Sequence, residues 1–270
     1  MSANPKPEVM QVDLTWKDSI AVLTINNIAR RNAWSVPIKE GILRHMKDLS
    51  SDKKCRGIVV TGAGGVFCAG GDVKGMKDRQ AKGVGFQDRR LQMGDVSFDA
   101  VRLMVHGPKP VVMAVEGPAF GAGLSIAMAG DYTVAANNAR FCGAQILRGL
   151  CPDIGLYYLL TARTGPGRAR ELLLSGRQFS AADAEKYGVV HELVEPGKAL
   201  EAAIAKAEKL AEVPPLAYAL TKSAMTHSYH TLEACFRAEQ DYQPIVGLSK
   251  DHKESVAAFL EKRKANYTGE

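Results

Sequence analysis

The chain has 270 residues, of which 46% are hydrophobic and 24% are charged. This length and composition exclude collagen, coiled-coil, solenoid and disordered proteins, and they predict one large or two modest globular domains. The formal net charge of +6 predicts a surface that attracts anions moderately. The basic residues form no stripe interleaved with aromatic side chains, so we do not expect nucleic-acid binding.

The five cysteines are odd in number and widely spaced, with neither a CxxC pair nor the spacing of metal ligands. This pattern predicts reduced thiols in a cytoplasmic protein. The first 17 residues lack the apolar region of a secretory signal. No apolar stretch reaches the length of about 18 residues that a membrane span needs. We therefore expect neither a leader nor a membrane contact.

The first part of the chain alternates predicted strands and helices. Apolar and polar residues alternate over 9–16 and 20–25, which predicts two strands joined by a hairpin at 17–19. Ser35 is the predicted N-cap of a helix. Its predicted buried face carries Ile38, Ile42, Met46 and Leu49. Further patterns predict strands over 57–61, 111–115 and 132–136, a helix over 121–128, and a mobile loop or irregular helix over 75–92.

Beyond Pro152 the patterns become helical. Ser180 and Asp183 form a predicted capping box, and Gly188 ends the helix that follows it. The next helix is predicted from an apolar stripe of Leu200, Ala203, Ile204, Ala207 and Leu210. Three more helices are predicted over 214–229, 231–246 and 249–264. This all-helical part is expected to pack on a core of its own or on a neighbouring subunit.

Two glycine-rich segments each follow a predicted strand. The segment 62–72 has Phe67 where a dinucleotide fingerprint has its third glycine, and it lacks the GK[ST] of a phosphate-binding loop. This segment and 117–123 can both leave backbone N–H groups free at a turn, so together they could bind one oxyanion. The alternative interpretation is two tight strand-to-helix turns without a ligand.

Serine and histidine chemistry is not favoured. The segment around Ser125 is loosely similar to a serine-hydrolase nucleophile elbow, but Ser125 falls inside a predicted helix, where it is expected to pack against a neighbour. The six histidines lack an HExxH pattern, so no metal site is predicted. His227 and His230 are predicted to share one helix face.

Asp153 is the most informative acidic residue. It lies among apolar residues, after Pro152 and before the apolar run 156–160. Such surroundings raise the pKa of a carboxyl group, which would let Asp153 transfer protons near neutral pH. The alternative interpretation is that Asp153 is a helix N-cap.

Taken together and in order, these segments resemble the crotonase superfamily of enoyl-CoA hydratases and isomerases. The matching motifs are Arg31-Asn32-Ala33, the segments 58–64, 67–72, 109–117 and 121–123, the Asp131 strand, and the segments 174–176, 179–184, 188–190 and 259–266. The resemblance implies an α/β fold built as a spiral of ββα repeats with a C-terminal helical trimerisation region. It implies an acyl-CoA-binding core over 1–195, a helical region over 196–270, and a homotrimer or a hexamer made of two trimers.

The resemblance also implies site residues. The backbone N–H groups of Gly71 and Ala122 would form an oxyanion hole for a thioester carbonyl. The backbone near Ala33 and the side chain of Lys74 would bind CoA, and an adjacent subunit would add Phe259 and Lys262. The acyl pocket is expected along the loop 75–92 and near Leu147, Leu150 and Tyr157. No cofactor is implied beyond the CoA part of the substrate.

One departure from the family pattern decides the expected chemistry. The two positions that hold the catalytic glutamates of a hydratase are occupied here by Ser125 and Gln145, and neither side chain titrates. Asp153 follows eight residues after Gln145, at the position of the catalytic acid in dienoyl-CoA isomerases and of the nucleophile in 4-chlorobenzoyl-CoA dehalogenases. This combination most resembles the phenylacetate-pathway isomerases, which convert a ring-epoxide CoA ester to an oxepin and shift enoyl double bonds.

The expected function is therefore acyl-CoA isomerisation with Asp153 as a single proton shuttle. The alternatives are an enoyl-CoA hydratase (a lyase), a hydrolase or dehalogenase-like enzyme that uses Asp153 differently, and a non-catalytic acyl-CoA-binding protein. The dehalogenase alternative is weakened because position 145 is not the tryptophan of those enzymes and no base histidine is evident.

Overall fold

A six-stranded sheet lies at the centre of the computed structural model, which describes residues 10–88, 90, 96–228 and 230–270. The strand order is β1-β2-β3-β4-β6-β9, and β5, β7 and β8 form a second, three-stranded sheet. The strands are β1 Gln11–Lys17, β2 Ile20–Asn26, β3 Gly57–Gly62, β4 Val111–Val115, β5 Pro118–Phe120, β6 Tyr132–Ala136, β7 Arg140–Cys142, β8 Gln178–Ser180 and β9 Glu192–Val194. Pairing is antiparallel for β1 with β2 and parallel from β2 onwards in the large sheet.

The helices named here are numbered in chain order. They are α1 Val36–Ser51, α2 Val73–Ala81, α3 Val96–His106, α4 Ala122–Met128, α5 Leu156–Ser175, α6 Ala181–Lys186, α7 Ala199–Ala211, α8 Pro215–His227, α9 Leu232–Gly247 and α10 Lys250–Glu261. The predicted strand start at Val9, the loop positions 89, 91 and 92, and the predicted helix end at Tyr229 lie outside the described residues. The predicted mixed α/β architecture is confirmed.

The large sheet is covered on both faces, because alternate side chains of its strands enter two different clusters. Ile58 and Val60 of β3 pack in the main core with α1 and α3, whereas Val59 between them packs with α7 on the other face. All five residues of β4 are buried. Continuous burial of this kind is typical of parallel strands with helices on both faces. It explains why β3 and β4 are apolar runs in the sequence.

Several predicted elements are confirmed with small shifts of their ends. The two N-terminal strands form the expected hairpin, with Lys17 paired to Ile20. The face of α1 predicted to be buried, Ile38, Ile42, Met46 and Leu49, is at most 2% exposed. The capping box is present, since the Ser180 hydroxyl accepts a hydrogen bond from the Asp183 N–H at 3.1 Å.

Two local predictions are wrong, and two others differ in detail. The segment 75–92, predicted as a mobile loop or irregular helix, begins within a regular helix, α2, which has no buried residue and therefore no apolar stripe to indicate it. Ser35 is confirmed at the N-cap position of α1, although its hydroxyl makes no cap hydrogen bond. Leu200 points away from the core at 36% exposure, because α7 packs on the sheet through small alanines. His230 does not share a helix face with His227, at which α8 ends.

The C-terminal helices are tied to the sheet by a buried ion pair. The Lys222 Nζ on α8 lies 2.6 Å from Asp131 Oδ2 and donates a second hydrogen bond to Lys109 O at 3.0 Å. Asp131 also accepts a hydrogen bond from the Val111 N–H of β4. The domain boundary expected at residue 195 stays a prediction. In the described ranges no helix is both long enough and apolar enough to span a membrane.

Candidate active site

The two glycine-rich segments run side by side. Cys68 and Ala119 form a parallel bridge, in which the Phe120 N–H donates to Cys68 O at 3.0 Å and the Cys68 N–H donates to Pro118 O at 3.1 Å. Gly71 and Ala122 each lie three residues beyond this bridge. The glycines that precede them are close, since Gly70 Cα lies 3.8 Å from the place that a Cβ on Gly121 would take. The structure thus confirms that both predicted segments meet at one place.

Glycine is required where these two segments turn. Gly70 has φ +118°, and a Cβ there would lie 3.2 Å from Phe120 O; Gly121 has φ +51°. Side chains other than hydrogen strain both conformations. Within the part of the chain that the structure describes, no hydrogen bond uses the N–H of Gly71 or of Ala122. These two free N–H groups could both donate hydrogen bonds to a single ligand oxygen, as in an oxyanion hole.

The loop that carries Ala33 is fastened to the first glycine segment. The Trp34 N–H donates to Gly70 O at 2.8 Å, and the Ala69 N–H donates to Arg31 O at 3.0 Å. Asn32 has φ +56°, and its buried side chain donates to Ala63 O. Ala33 is therefore held against the candidate oxyanion hole, with 7% of its surface exposed.

Lys74 lies just past the same segment, in the first turn of α2. Its side chain is exposed. Asp72, which precedes α2, forms an ion pair with Arg30 at 3.2 Å, and this contact joins α2 to the loop before Ala33. Met76 of α2 reaches back over Gly71, since its Cε lies 2.6 Å from the position that a Cβ on Gly71 would take.

Asp153 is held by Gln145 and Ser125. The Gln145 amide Nε2 donates to Asp153 Oδ1 at 3.0 Å, and the Ser125 hydroxyl donates to the Asp153 backbone O at 3.0 Å. Burial raises the pKa of the Asp153 carboxyl above its ordinary value, and the hydrogen bond from Gln145 lowers this pKa in part. The carboxyl is therefore suited to proton transfer closer to neutral pH than an exposed aspartate.

The N-cap interpretation of Asp153 is wrong. Helix α5 begins at Leu156, and its N-cap position is Gly155. The Leu156 N–H is bound by the backbone oxygen of Asp153 and not by its carboxyl. Between them, Ile154 has φ +55°, a left-handed conformation that is rare for a β-branched residue. The surrounding structure thus holds Asp153 in a strained turn, which is a frequent feature of functional sites.

Gln145 also connects Asp153 to the oxyanion donors. Its Cδ and Oε1 lie 3.6 Å and 3.7 Å from the place of a Cβ on Gly121, the residue before Ala122. The structure therefore places the Gln145 side chain between Asp153 and Gly121, the residue that precedes Ala122. Sequence reasoning identified Gln145 only as a residue that does not titrate, and its contact with Asp153 was missed.

Ser125 is confirmed as a packed helical serine. It is fully buried on α4, and its hydroxyl donates to Gly121 O at 3.3 Å in addition to Asp153 O. A buried hydroxyl committed to backbone oxygens is unsuited to act as a nucleophile.

Apolar surface is exposed on both sides of Asp153 in the sequence. Leu147, Leu150 and Tyr157, the expected pocket residues, are 55%, 45% and 52% exposed. Phe259 and Lys262, at the end of α10, are a separate group, and Phe259 is 84% exposed. No hydrogen bond or ion pair among the described residues joins either of them to Gly71, Ala122 or Asp153.

Comparison with known proteins finds relatives along nearly the whole chain. The family model "Enoyl-CoA hydratase/isomerase" matches residues 15–270. The chain is 34% identical over 252 residues to 1,2-epoxyphenylacetyl-CoA isomerase of Escherichia coli K12, covering 93% of this chain and 95% of the relative. It is 30% identical over 251 residues to 2,3-dehydroadipyl-CoA hydratase of the same organism, with coverage of 93% and 95%.

A solved structure shows the same fold. The crystal structure of a putative enoyl-CoA hydratase from Streptomyces coelicolor A3(2) superposes with a TM-score of 0.89 at 33% identity, covering 100% of this chain and 98% of that one. The α/β architecture with its C-terminal helices is thus the crotonase fold. The chain belongs to the enoyl-CoA hydratase/isomerase family of the crotonase superfamily.

Proposed function

We propose that the protein is an acyl-CoA isomerase of the single-aspartate branch of this family. The thioester oxygen binds between the N–H groups of Gly71 and Ala122, which stabilise the negative charge of an enolate. The Asp153 carboxylate takes a proton from one carbon of the acyl chain and returns it to another. The double bond or ring moves while the composition of the acyl group stays the same.

The observation that carries this proposal is the contact of Ser125 and Gln145 with Asp153. Both positions that hold the glutamates of a hydratase are occupied here by side chains that do not titrate, and both hydrogen-bond to the same residue. A 1,3 proton shift needs one acid, whereas addition of water uses a pair. The relative named 1,2-epoxyphenylacetyl-CoA isomerase supports this choice.

Hydration is the second candidate, because relatives of similar identity are named hydratases. Asp153 would then have to activate a water molecule as well as protonate the substrate. A hydrolase or dehalogenase-like reaction, or binding of acyl-CoA without turnover, would use the same oxyanion hole with a different role for Asp153.

The proposal includes the binding residues and the assembly. Ala33 and Lys74 bind the CoA part of the substrate, which is the only cofactor-like group involved, and Phe259 and Lys262 add to the site of a neighbouring subunit. Lys262 forms no ion pair within the described residues, whereas its neighbour Arg263 pairs with Glu254 and Glu261. Lys262 is therefore available to a phosphate.

A homotrimer or a hexamer of two trimers would explain the apolar surface of α8 to α10. Its large exposed apolar residues are Met225, Leu232, Phe236, Ile245, Leu248, Val256, Phe259 and Leu260. Exposed apolar surface of this extent is typical of subunit interfaces. We also propose that the protein is cytoplasmic, as the cysteine pattern predicts, and that it acts in the metabolism of fatty or aryl acyl-CoA esters.

The test is the Asp153→Asn variant with a panel of enoyl-, dienoyl- and aryl-CoA esters. We expect the wild-type protein to isomerise at least one ester, and the variant to lose turnover while calorimetry shows that it still binds the ester. Full activity of the variant would refute the role of Asp153. Tight binding without turnover by the wild-type protein across the panel would favour the non-catalytic alternative.

A further inference from the structure

Gln145 combines two features that its role as a simple packing residue does not explain. Its side chain is buried, with 8% exposure, and its Oε1 has no hydrogen-bond partner within the described structure. A buried acceptor without a partner destabilises a fold. An apolar side chain of the same size would avoid this destabilisation, so the amide is unfavourable for packing alone.

Among the described residues, the one polar contact of this amide is with Asp153. Nε2 donates to Asp153 Oδ1 at 3.0 Å, and the other end of the amide lies against Gly121 at the candidate oxyanion hole. Asp153 Oδ2 accepts no hydrogen bond from another described residue. Oδ1 is therefore held by Gln145, and no other described residue holds Oδ2, while the backbone N–H of Asp153 itself also lowers the pKa of this carboxyl.

Ser125 holds the same residue from the backbone side. Its hydroxyl donates to the Asp153 carbonyl oxygen at 3.0 Å from the interior of α4, the helix that begins with the Ala122 donor. Helix α4 thus carries both an oxyanion donor and an anchor for the acid. This fixes the distance between the two parts of the site without any flexible link.

We propose that Gln145 and Ser125 are positioning residues, which hold Asp153 Oδ1 and the Asp153 backbone so that the proton is carried on Oδ2 alone. This inference rests on the proposed function and deepens it. Ser125 and Gln145 thus hold one acid, Asp153, from two sides. The substrate class that fits this arrangement is an acyl-CoA ester in which a proton moves between nearby carbons on one face of the acyl group. A proton carried on the fixed Oδ2 of Asp153 moves only a short distance between the two reacting carbons of the acyl chain.

The hydrogen bond from Gln145 also has an electrostatic effect on Asp153. The Gln145 hydrogen bond favours the ionised form of Asp153 and so lowers its pKa against the effect of burial. The titratable groups nearby are Tyr157, which interacts with the Asp153 charge, and Cys151, which contacts Tyr157. Neither Tyr157 nor Cys151 hydrogen-bonds to the Gln145 side chain. Replacement of Gln145 is therefore expected to change the pKa of Asp153 through the loss of the Nε2–Oδ1 hydrogen bond.

The test is the Gln145→Met variant, which keeps the length of the side chain and removes the amide. The pKa of the Asp153 carboxyl is read by ¹³C NMR titration of the free protein and from the acid limb of kcat/KM. We expect a higher pKa in the variant, a fall in kcat of about 10- to 100-fold from lost orientation, and a KM within about twofold because the binding groups remain.

Controls separate this inference from the proposed function. Gln178→Met, at an exposed position on β8, is expected to change none of these values. Ser125→Ala is expected to lower kcat without shifting the pKa of Asp153, since it contacts only the backbone. If Gln145→Met does not fold, Gln145→Leu serves for the same measurements.

An unchanged pKa of Asp153 or an unchanged kcat in the Gln145 variant would overturn the positioning role, even if Asp153→Asn is inactive. Full activity of Asp153→Asn would instead overturn the proposed function. The NMR titration would still report whether Gln145 holds the carboxyl, because it does not depend on turnover.

Discussion

Cys68 and Ala119 pair in a parallel bridge that aligns two glycine turns from distant parts of the chain. Gly71 and Ala122 each follow this bridge by three residues, and no hydrogen bond among the described residues uses their N–H groups. The proposed oxyanion hole would therefore depend on the pairing of two backbone segments rather than on any side chain.

Gly71→Ala tests how closely this site is packed. The backbone of Gly71 does not have a positive φ, so alanine fits the conformation, but its Cβ would lie 2.6 Å from Met76 Cε. We expect the variant to fold and its kcat to fall about 100-fold. The new methyl group must displace either the Met76 side chain or the backbone at position 71, and a shift of this backbone disturbs the geometry of its N–H donor. Steady-state kinetics measures the loss. Adding Met76→Ala should restore part of it, and equal activity of the single and double variants would contradict this account.

The pH dependence of turnover follows from the protonation state of Asp153. The acid must be ionised to take a proton from the substrate, so kcat/KM should rise with pH through its pKa. Because burial raises the pKa of Asp153 above the ordinary 3.8, the acid limb should lie above that value. A pH profile of kcat/KM measures it. An acid limb of kcat/KM centred at pH 3.8 or below would contradict a buried environment for Asp153.

Asp153 should also affect stability, in the opposite direction to most ion-paired carboxylates. Its pKa is higher in the folded state, so the folded protein binds more protons between the unfolded and folded pKa values, and stability falls as pH rises through that window. Asp153→Asn is expected to be more stable than the wild-type protein at pH 7. The gain should shrink as the pH approaches the ordinary 3.8 of aspartate. Urea denaturation at several pH values tests this, and a variant less stable at pH 7 would count against it.

The buried pair of Lys222 and Asp131 should stabilise the docking of α8. Burial lowers the pKa of Lys222 and Asp131 raises it, so the carboxylate is what keeps the buried amine charged. Asp131→Ala is expected to destabilise the protein by about 3–5 kcal/mol, because it leaves a buried charge without a partner. Urea denaturation followed by far-UV circular dichroism measures the change. The double variant Asp131→Leu with Lys222→Met should lose less, and a larger loss in the double variant would refute the charge argument.

The sequence predicted those elements whose apolar residues repeat with a clear period. The buried face of α1 and the runs of β3 and β4 follow this rule, since each packs large side chains against the core. Helix α2 was missed because it buries nothing. Leu200 was misplaced because α7 approaches the sheet through Ala199, Ala203 and Ala207, and large side chains cannot occupy that close contact.

The sequence predicted the individual residues of the candidate site but not the hydrogen bonds between them. Glycines after strands and an acid among apolar residues are local signals, and these signals together with the family resemblance predict Gly71, Ala122 and Asp153 as site residues. The contact of Gln145 with Asp153 crosses a 3-10 turn, Ile146–Arg148, and the left-handed Gly149. No periodic spacing describes such a path, so only the folded chain shows it.

The most direct test of the central claim is the mass of the product formed from an enoyl-CoA or ring-epoxide CoA ester. We expect a product of unchanged mass, with the double bond or ring rearranged, and we expect Asp153→Asn not to form it. A product heavier by one water, still formed by the Asp153→Asn variant, would contradict the assignment of Asp153 as a single proton shuttle.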